Sequence, residues 1–319
     1  MTSASATQRS ISRKWARVSK QSPCPICHKP DWCMVSMDRH AAICARTETD
    51  RPAGNKGAGW IHELDHSATL PPQKPTPNAP QTPKASPDVL NAVYSALLGH
   101  LPLSANHADN LRHRGLTSEE IRGLGYRTLA RYGRREVVVR LGAFKLAGVP
   151  GFYQESGGWR LAGPSGIAIP VRDMQGRIIG LQIRCDRTDA AKYRWISSRG
   201  FDQGCSPGAP VHIAGRVAAG ADVWVTEGPL KADIAALRLG CTMLAVAGVG
   251  NWAGIIPIVL ELKPGRVIIA FDMDKTSNSA VQLHANTLIA TLIRHGIRTF
   301  EADWNPVFKG LDDLITEAR

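Results

Sequence analysis

Two periodicities divide this chain. In its last third, Val223-Trp-Val-Thr-Glu227-Gly228 and Val267-Ile-Ile-Ala-Phe-Asp272-Met-Asp274 are short, β-branched and too apolar to alternate. Such runs read as strands buried on both faces. Pro229 then opens a helical repeat through Leu230, Ile234, Ala235 and Leu237 that stops at Gly240, with proline early and glycine just past the end. Cys241 to Val246 predicts another strand, Trp252 to Leu262 a helix, Arg266 to Phe271 a strand, and Val281 to His295 a helix closed by Gly296. Alternation of this kind predicts an α/β region on a doubly wound parallel sheet.

Upstream the pattern differs. From about Gly142 to Arg216 alternating strands dominate, with Gly166 to Asp173 and Ile178 to Arg184 forming a hairpin about the turn Asp173-Met-Gln-Gly176. Before them, Val89 to Leu101, Ser104 to Arg114 and Thr117 to Arg122 carry helical spacing, the last opened by a Thr cap with Glu120 three residues on. Arg112, Arg114 and Arg122 read as a solvated helix face. Nearer the amino terminus, Trp32 to Ser36 and Ala41 to Cys44 flank Met37-Asp-Arg-His40 as a second hairpin. Gly57 to Leu64 is expected to complete that small unit, with Trp60 packed inside. The stretch Pro71 to Pro87 holds seven prolines and is too polar to bury a core, so it is expected to act as a tether. The expected organisation is therefore 1–64, a linker over 65–88, a helical and basic lobe over 89–216, and the parallel-sheet region over 217–319.

Composition adds a partner class. Lys and Arg number 39 against 27 Asp and Glu, a net charge of +12, and that excess suits a polyanion. No apolar run approaches the ~20 residues that span a bilayer, and the first residues lack the apolar segment of a secretory signal. A cytoplasmic protein without membrane contact is expected. The seven cysteines are then free thiols or metal ligands rather than a disulfide framework.

Four of them are spaced for metal. Cys24-Pro-Ile-Cys27-His28 is followed by Cys33, His40 and Cys44, and a Cys-x-x-Cys knuckle with two later soft ligands builds a tetrahedral structural zinc site. The expected ligands are Cys24, Cys27, Cys33 and Cys44, with His40 the substitute should Cys33 face away. Cys185, Cys205 and Cys241 read as buried thiols.

The carboxylates point to a second metal. In doubly wound sheets, ligands bind beyond the carboxyl ends of the strands, which is where Glu227, Asp272 and Asp274 should meet. Lys309-Gly-Leu-Asp312-Asp313-Leu adds two more acids after a later strand. Crowded acids repel unless a cation sits between them, and oxygen-only ligands suit Mg²⁺ or Mn²⁺. An isolated acid after a strand does no more than favour a helix amino terminus; several in register argue for a site.

The set Glu227-Gly228, Phe271-Asp272-Met-Asp274 and Lys309-Gly-Leu-Asp312-Asp313 resembles the TOPRIM domain of bacterial-type DNA primases, topoisomerases and some nucleases, over about residues 220 to 316. A zinc ribbon ahead of TOPRIM is the layout of bacterial-type primases. Ile-Pro-Val-Arg172-Asp followed by Gly-Arg-Ile-Ile-Gly-Leu-Gln-Ile-Arg184 is similar to the amino-terminal lobe of the primase polymerase core. There the resemblance implies basic side chains on template and nucleotide phosphates, with Arg172, Arg184, Lys192, Arg194 and Arg199 the matching candidates. The sequence departs from the pattern at Lys231, which stands where primases carry the aspartate of Glu-Gly-x-x-Asp, and at Ser277-Asn-Ser279, where a further aspartate is common. Glu-Gly-Pro-Leu-Lys resembles primase-like proteins of plasmids and other mobile elements, and Lys231 is then a candidate phosphate ligand.

The resemblance implies template-directed synthesis of short RNA primers on single-stranded DNA from nucleoside triphosphates, with structural zinc and catalytic Mg²⁺ or Mn²⁺. Without a Gly-x-x-x-x-Gly-Lys-Ser/Thr phosphate loop, a separate helicase is an expected partner. A TOPRIM nuclease would use similar acids on water, and a non-catalytic DNA-binding module would combine zinc and TOPRIM without the basic lobe.

Overall fold

The structure, a computed structural model, describes residues 15–37, 41–49, 51–53, 59–64, 82–186, 191–273, 279–305, 307–308 and 310–317. The chain divides into two compact units, 1–74 and 75–319. Most of the expected tether, residues 65–81, lies outside the described residues.

In the first unit, strands β1 (Trp15–Arg17), β2 (Met34–Ser36), β3 (Ala41–Cys44) and β4 (Trp60–Glu63) form an antiparallel sheet in sequence order. The expected hairpin is the β2–β3 pair, and β4 adds to it with Cys44 opposite Trp60. Trp60 is half-buried rather than enclosed. Its core is made of sulfur: Cys24, Cys33 and Cys44 are buried together, with Val18, Ile26 and Cys27 against them.

The second unit begins before its first helix. Ala85 donates its N–H to Gly148 O at 2.8 Å, and Lys84 Nζ reaches Pro207 O at 2.9 Å. The last residues of the proline-rich stretch are thus held against this unit, because they find backbone partners there. Helix α1 (Pro87–His100) has Pro87 in its first turn and buries Leu90, Val93, Tyr94, Leu97 and Leu98, one face at helical spacing. Next come α2 (Ala105–Arg112), capped by Ser104, and α3 (Ser118–Leu124), whose Thr117 and Glu120 make the anticipated reciprocal capping box.

Strand β5 (Arg127–Leu129) and helix α4 (Arg134–Arg140) were not anticipated by periodicity, whereas the pair β6 (Phe152–Glu155) and β7 (Gly158–Leu161) falls in the strand-rich stretch expected from Gly142. Strand β5 and helix α4 are too short to show a period. Strands β8 (Gly166–Arg172) and β9 (Ile178–Cys185) are the expected hairpin, continued by β10 (Tyr193–Trp195), in a sheet of order β10-β9-β8-β5. Helix α1 packs on one face of it, through Ile178, Leu181 and Ile183.

The last sheet combines β11 (His212–Ala214), β12 (Val223–Glu227), β13 (Thr242–Val246), β14 (Val267–Ile269) and β15 (Thr299–Glu301) in the order β11-β13-β12-β14-β15. All neighbours are parallel except the edge strand β11. Helices α6 (Ile255–Leu262) and α7 (Ser279–Arg294) cover one face, burying Val223, Val225, Leu244, Val246, Val267 and Ile269. The other face takes α5 (Pro229–Leu239) and α8 (Leu311–Glu317), with Ala232, Ala235, Ala236 and Leu311 in the contact. Helices on both faces make the region doubly wound, the α/β arrangement that alternation predicted. The helix expected from Trp252 begins as a 3-10 turn, Val249–Gly254, and becomes α-helical only at Ile255. Among the described residues no helix is long and apolar enough to cross a membrane.

Candidate active site

Three connections at the carboxyl ends of the parallel strands bring charge together. Strand β12 ends on Glu227, and Gly228 turns the chain at φ 79° and ψ 130° so that α5 starts at once. A positive φ here is where glycine is favoured. Lys231, in the first turn of α5, donates its ammonium to both carboxylate oxygens of Asp272, just beyond β14. Asp272 and Asp312 are 6% and 3% exposed, so both charges lie in a poorly solvated setting.

Gly310 marks how tight the convergence is. A Cβ at that position would lie 2.5 Å from Asp312 Oδ1, 3.1 Å from Lys231 Nζ and 3.3 Å from Asp272 Oδ1. Arg114 Nη1 stands 3.5 Å from Asp312 Oδ2, and the Gly310 N–H donates to Asp313 Oδ2 at 3.1 Å. Burial opposes the charge on Lys231, but Asp272, Asp312 and Glu227 outweigh it and hold its pKa above the ordinary lysine value. Burial, with Asp313 adding to it, raises the Asp312 carboxyl against the pull of Lys231 and Arg114. Asp313 is exposed and Glu227 half-buried. Asp274 and Lys309 lie outside the described residues.

Asp272 and Asp312 offer oxygens of the kind a hard divalent cation takes, although among the described residues only the four thiols of the first unit come together as a group of three or more metal-ligating side chains. Asp312 Oδ1 is buried without a hydrogen-bond partner, so an acceptor there is left for an ion. Lys231 competes for Asp272.

Behind the site lies a polar network that the sequence pattern did not reveal. Asp233, two residues after Lys231, is 5% exposed and accepts from the Tyr126 hydroxyl at 2.5 Å and from His212 Nε2 at 3.0 Å. His212 Nδ1 in turn accepts the Arg172 backbone N–H at 3.0 Å. Because Nδ1 is an acceptor, Nε2 carries the proton and His212 is neutral. Burial and the Asp233 charge push the Tyr126 hydroxyl well above its usual pKa. The network ties α5 to β8 and β11. Its one sequence signal was an acid next to Ile234 on the apolar side of a helix.

The basic candidates separate into two groups. The Arg172 guanidinium is committed to Leu124 O at 3.2 Å and Gly176 O at 3.1 Å. Arg184 lies opposite Ile167 and Tyr193 in the strand register, and cross-strand partners share a face. Ile167 and Tyr193 pack in one cluster with Leu230 and Ile234 of α5, so Arg184 is on the sheet face turned to the helix that carries Lys231. Lys192, Arg194 and Arg199 are exposed, Lys192 with its ammonium 6.0 Å from the Tyr193 ring centre.

In the first unit, the thiols of Cys24, Cys27, Cys33 and Cys44 all lie within 4.8 Å of one another. Four thiols at this spacing, three of them buried, fit one tetrahedral zinc ion. His28 is exposed and outside the group, and His40 lies outside the described residues. Burial drives the Cys24 thiol up to about 12. Burial also acts on Cys27, but the Lys29 N–H and the neighbouring thiols bring it down to about 7. Arg46 stands over the pair, with Nη1 3.9 Å from Cys27 Sγ and 3.8 Å from Cys33 Sγ, and is anchored by Asp31 at 2.6 Å. Cys185 and Cys205 are buried elsewhere and Cys241 half-buried.

No family profile and no curated protein matches the sequence. Solved structures do resemble the fold. The zinc-binding and RNA polymerase domains of the Aquifex aeolicus primase align with a TM-score of 0.58 at 16% identity, over 74% of this chain and 59% of that one. The chain therefore spans well under two thirds of that protein's length. A DnaG primase catalytic domain bound to single-stranded DNA aligns with a TM-score of 0.54 at 20% identity, covering 72% of this chain and 77% of that one. For the RNA polymerase domain of Mycobacterium tuberculosis DnaG, in complex with a DNA duplex bearing a 6-nucleotide overhang, the score is 0.55 at 17% identity, covering 74% and 80%. The architecture is that of bacterial primase cores.

Proposed function

We propose that the protein is a DNA primase, making short RNA primers on a single-stranded DNA template from nucleoside triphosphates. The observation that carries this reading is the meeting of Lys231, Asp272 and Asp312 just past Glu227, at the carboxyl ends of a parallel sheet in a primase-like fold. Residues 1–64 would be the zinc-ribbon domain, 65–88 the linker, 89–216 the basic lobe and 217–319 the TOPRIM domain. Cys24, Cys27, Cys33 and Cys44 would hold structural zinc. Glu227, Asp272, Asp274, Asp312 and Asp313 would hold Mg²⁺ or Mn²⁺, which when bound activates a 3′-hydroxyl and neutralises a triphosphate.

The protein's own groups do the positioning. Exposed Lys192, Arg194 and Arg199 suit phosphates of template and nucleotide. Arg184 would act from the face turned to α5, while Arg172 holds the hairpin turn in shape through two carbonyls. Burial of Asp272 and Asp312 keeps water away, which strengthens their action on any charge brought between them. A cytoplasmic setting, a separate helicase and an origin in a mobile element complete the reading.

The test is primer synthesis on mixed-sequence single-stranded DNA with zinc retained, in Mg²⁺ or Mn²⁺, beside Glu227→Gln and Asp272→Asn. Short template-dependent products that vanish in both variants are expected. Strand binding without product would make the protein a DNA-binding module, and loss of the template strand would make it a nuclease.

A further inference from the structure

Strand β9 carries one fully buried polar side chain. Gln182, between Leu181 and Ile183, is 3% exposed, and its Oε1 has no hydrogen-bond partner among the described residues. Such an acceptor weakens a fold unless something donates to it. Two residues on, Arg184 Nε is buried and equally without a partner. A donor and an acceptor on one strand thus stay unpaired side by side.

The strand register fixes their direction. Leu181 and Ile183 pack on α1, so the alternate residues Gln182 and Arg184 are on the opposite face. There Gln182 stands opposite Ile169 and Trp195, and Arg184 opposite Ile167 and Tyr193. Ile167, Ile169 and Tyr193 pack with Leu230 and Ile234 of α5, the helix that leaves Glu227 through Gly228. Each unpaired polar group therefore has an aromatic residue across from it on the face turned to that helix. The Trp195 ring leans over Gly180, where an added Cβ would lie 3.4 Å from its Cζ3, and the residue stays partly exposed.

We infer that Gln182 is a nucleotide-selecting residue, its Oε1 accepting from an N–H or O–H of a bound nucleoside triphosphate. The inference rests on the primase reading for its class of ligand. An exocyclic base amine and a ribose hydroxyl both supply such a donor, with Trp195 a stacking surface for the base and Arg184 a cation for the phosphates. The acceptor is already shut away from solvent in the free protein. A nucleotide with the donor therefore gains a bond without further desolvation of the amide, and one without it gains nothing. That difference is the selection.

The experiment separates selection from stability. Full-length protein with zinc retained is dialysed to equilibrium against each of the four ribonucleoside triphosphates and their 2′-deoxy counterparts, with Mg²⁺ and no template, beside Gln182→Met, which keeps the side-chain length and removes both polar atoms. In the wild type a nucleotide that carries the donor should bind about tenfold more tightly than its analogue without it. Ribo forms win over deoxy forms if the donor is the 2′-hydroxyl, and one or two bases win over the rest if it is an amine. In Gln182→Met the preference should vanish while the disfavoured nucleotides bind as before, and the melting temperature should stay level or rise, since an unpaired acceptor has gone. A wild type without preference, a preference kept in the variant, an equal loss for every nucleotide or no nucleotide bound would each overturn the inference. So would a variant that melts lower, which would make the amide a structural group. Binding does not depend on polymerisation. A protein that selects through Gln182 yet makes no primer would keep this inference and sink the primase reading, and a primase whose preference survives in Gln182→Met would sink this inference alone.

Discussion

The buried Asp233 network offers a measurement with an internal control. Tyr126→Phe removes one hydroxyl and no apolar volume from a position 0% exposed, and leaves Asp233 Oδ2 without the donor now 2.5 Å away. The neutral state of His212, fixed by the Arg172 N–H on its Nδ1, means that no second proton is at hand to compensate. A hydrogen bond to a charged group contributes about 1.5–3 kcal/mol, so the loss should be about 2 kcal/mol. For a unit of this size that is roughly 4–8 °C in melting temperature. Tyr94→Phe is the control. Tyr94 is equally buried, but its hydroxyl donates at 2.8 Å to the neutral carbonyl of Pro150, and about 1 kcal/mol is expected. Scanning calorimetry of the three full-length proteins gives the comparison. If Tyr126→Phe costs no more than Tyr94→Phe, Asp233 does not carry a buried charge and the network is not what ties α5 to β8.

Three further outcomes follow from the geometry. Glu120, held by Arg238 and the Thr117 N–H, has its pKa lowered to about 2 from the ordinary 4.5. The pair's stabilisation is therefore complete above about pH 4.5 and lost as pH falls toward 2. It is partly open to solvent, 22% and 10% exposed, and should be worth about 1 kcal/mol; melts from pH 6 to 3 should show a decline that Glu120→Gln flattens. Arg46→Met removes the guanidinium near Cys27 and Cys33 and should weaken zinc retention roughly tenfold, read as faster release to a colorimetric chelator; an unchanged release rate would refute the role. Gly310→Ala drives a Cβ to 2.5 Å from Asp312 Oδ1 and should lower primer synthesis roughly a hundredfold with a melt within 1 °C or so of wild type, so wild-type activity would show that the three groups do not share a site.

How far the sequence disclosed this molecule depended on length and contrast. The β12 to α5 unit was plain because a five-residue apolar strand, Gly228, Pro229 and Gly240 each say the same thing. Likewise, Thr117 and Glu120 announced a helix start by a pattern with one physical meaning. Strand β5 and helix α4 gave no such contrast, being three and seven residues long and set by tertiary contacts. Helix α4 has Arg134 donating to the Gly163 and Pro164 carbonyls, distant partners that no local window contains. The four thiols were legible because a cluster of metal-ligating cysteines is written in spacing. Asp233 was not, since an acid on an apolar face has meaning only once Tyr126 and His212, far away in the chain, are brought to it.

Lys231 shows the same limit from the other side. By the resemblance it stands where primases carry an acid, and by charge it makes the cluster less anionic; neither observation says where its ammonium goes. The fold answers by geometry. A first-turn residue of α5 is carried over the carboxyl ends of β12 and β14, and the nearest buried acceptor is Asp272. The acids that would repel one another without an external cation are thereby compensated from within. A lysine at this site therefore holds Asp272 in place, and Asp312 Oδ1 is left buried without a hydrogen-bond partner. The same substitution that thins the acidic motif also preorganises what is left of it.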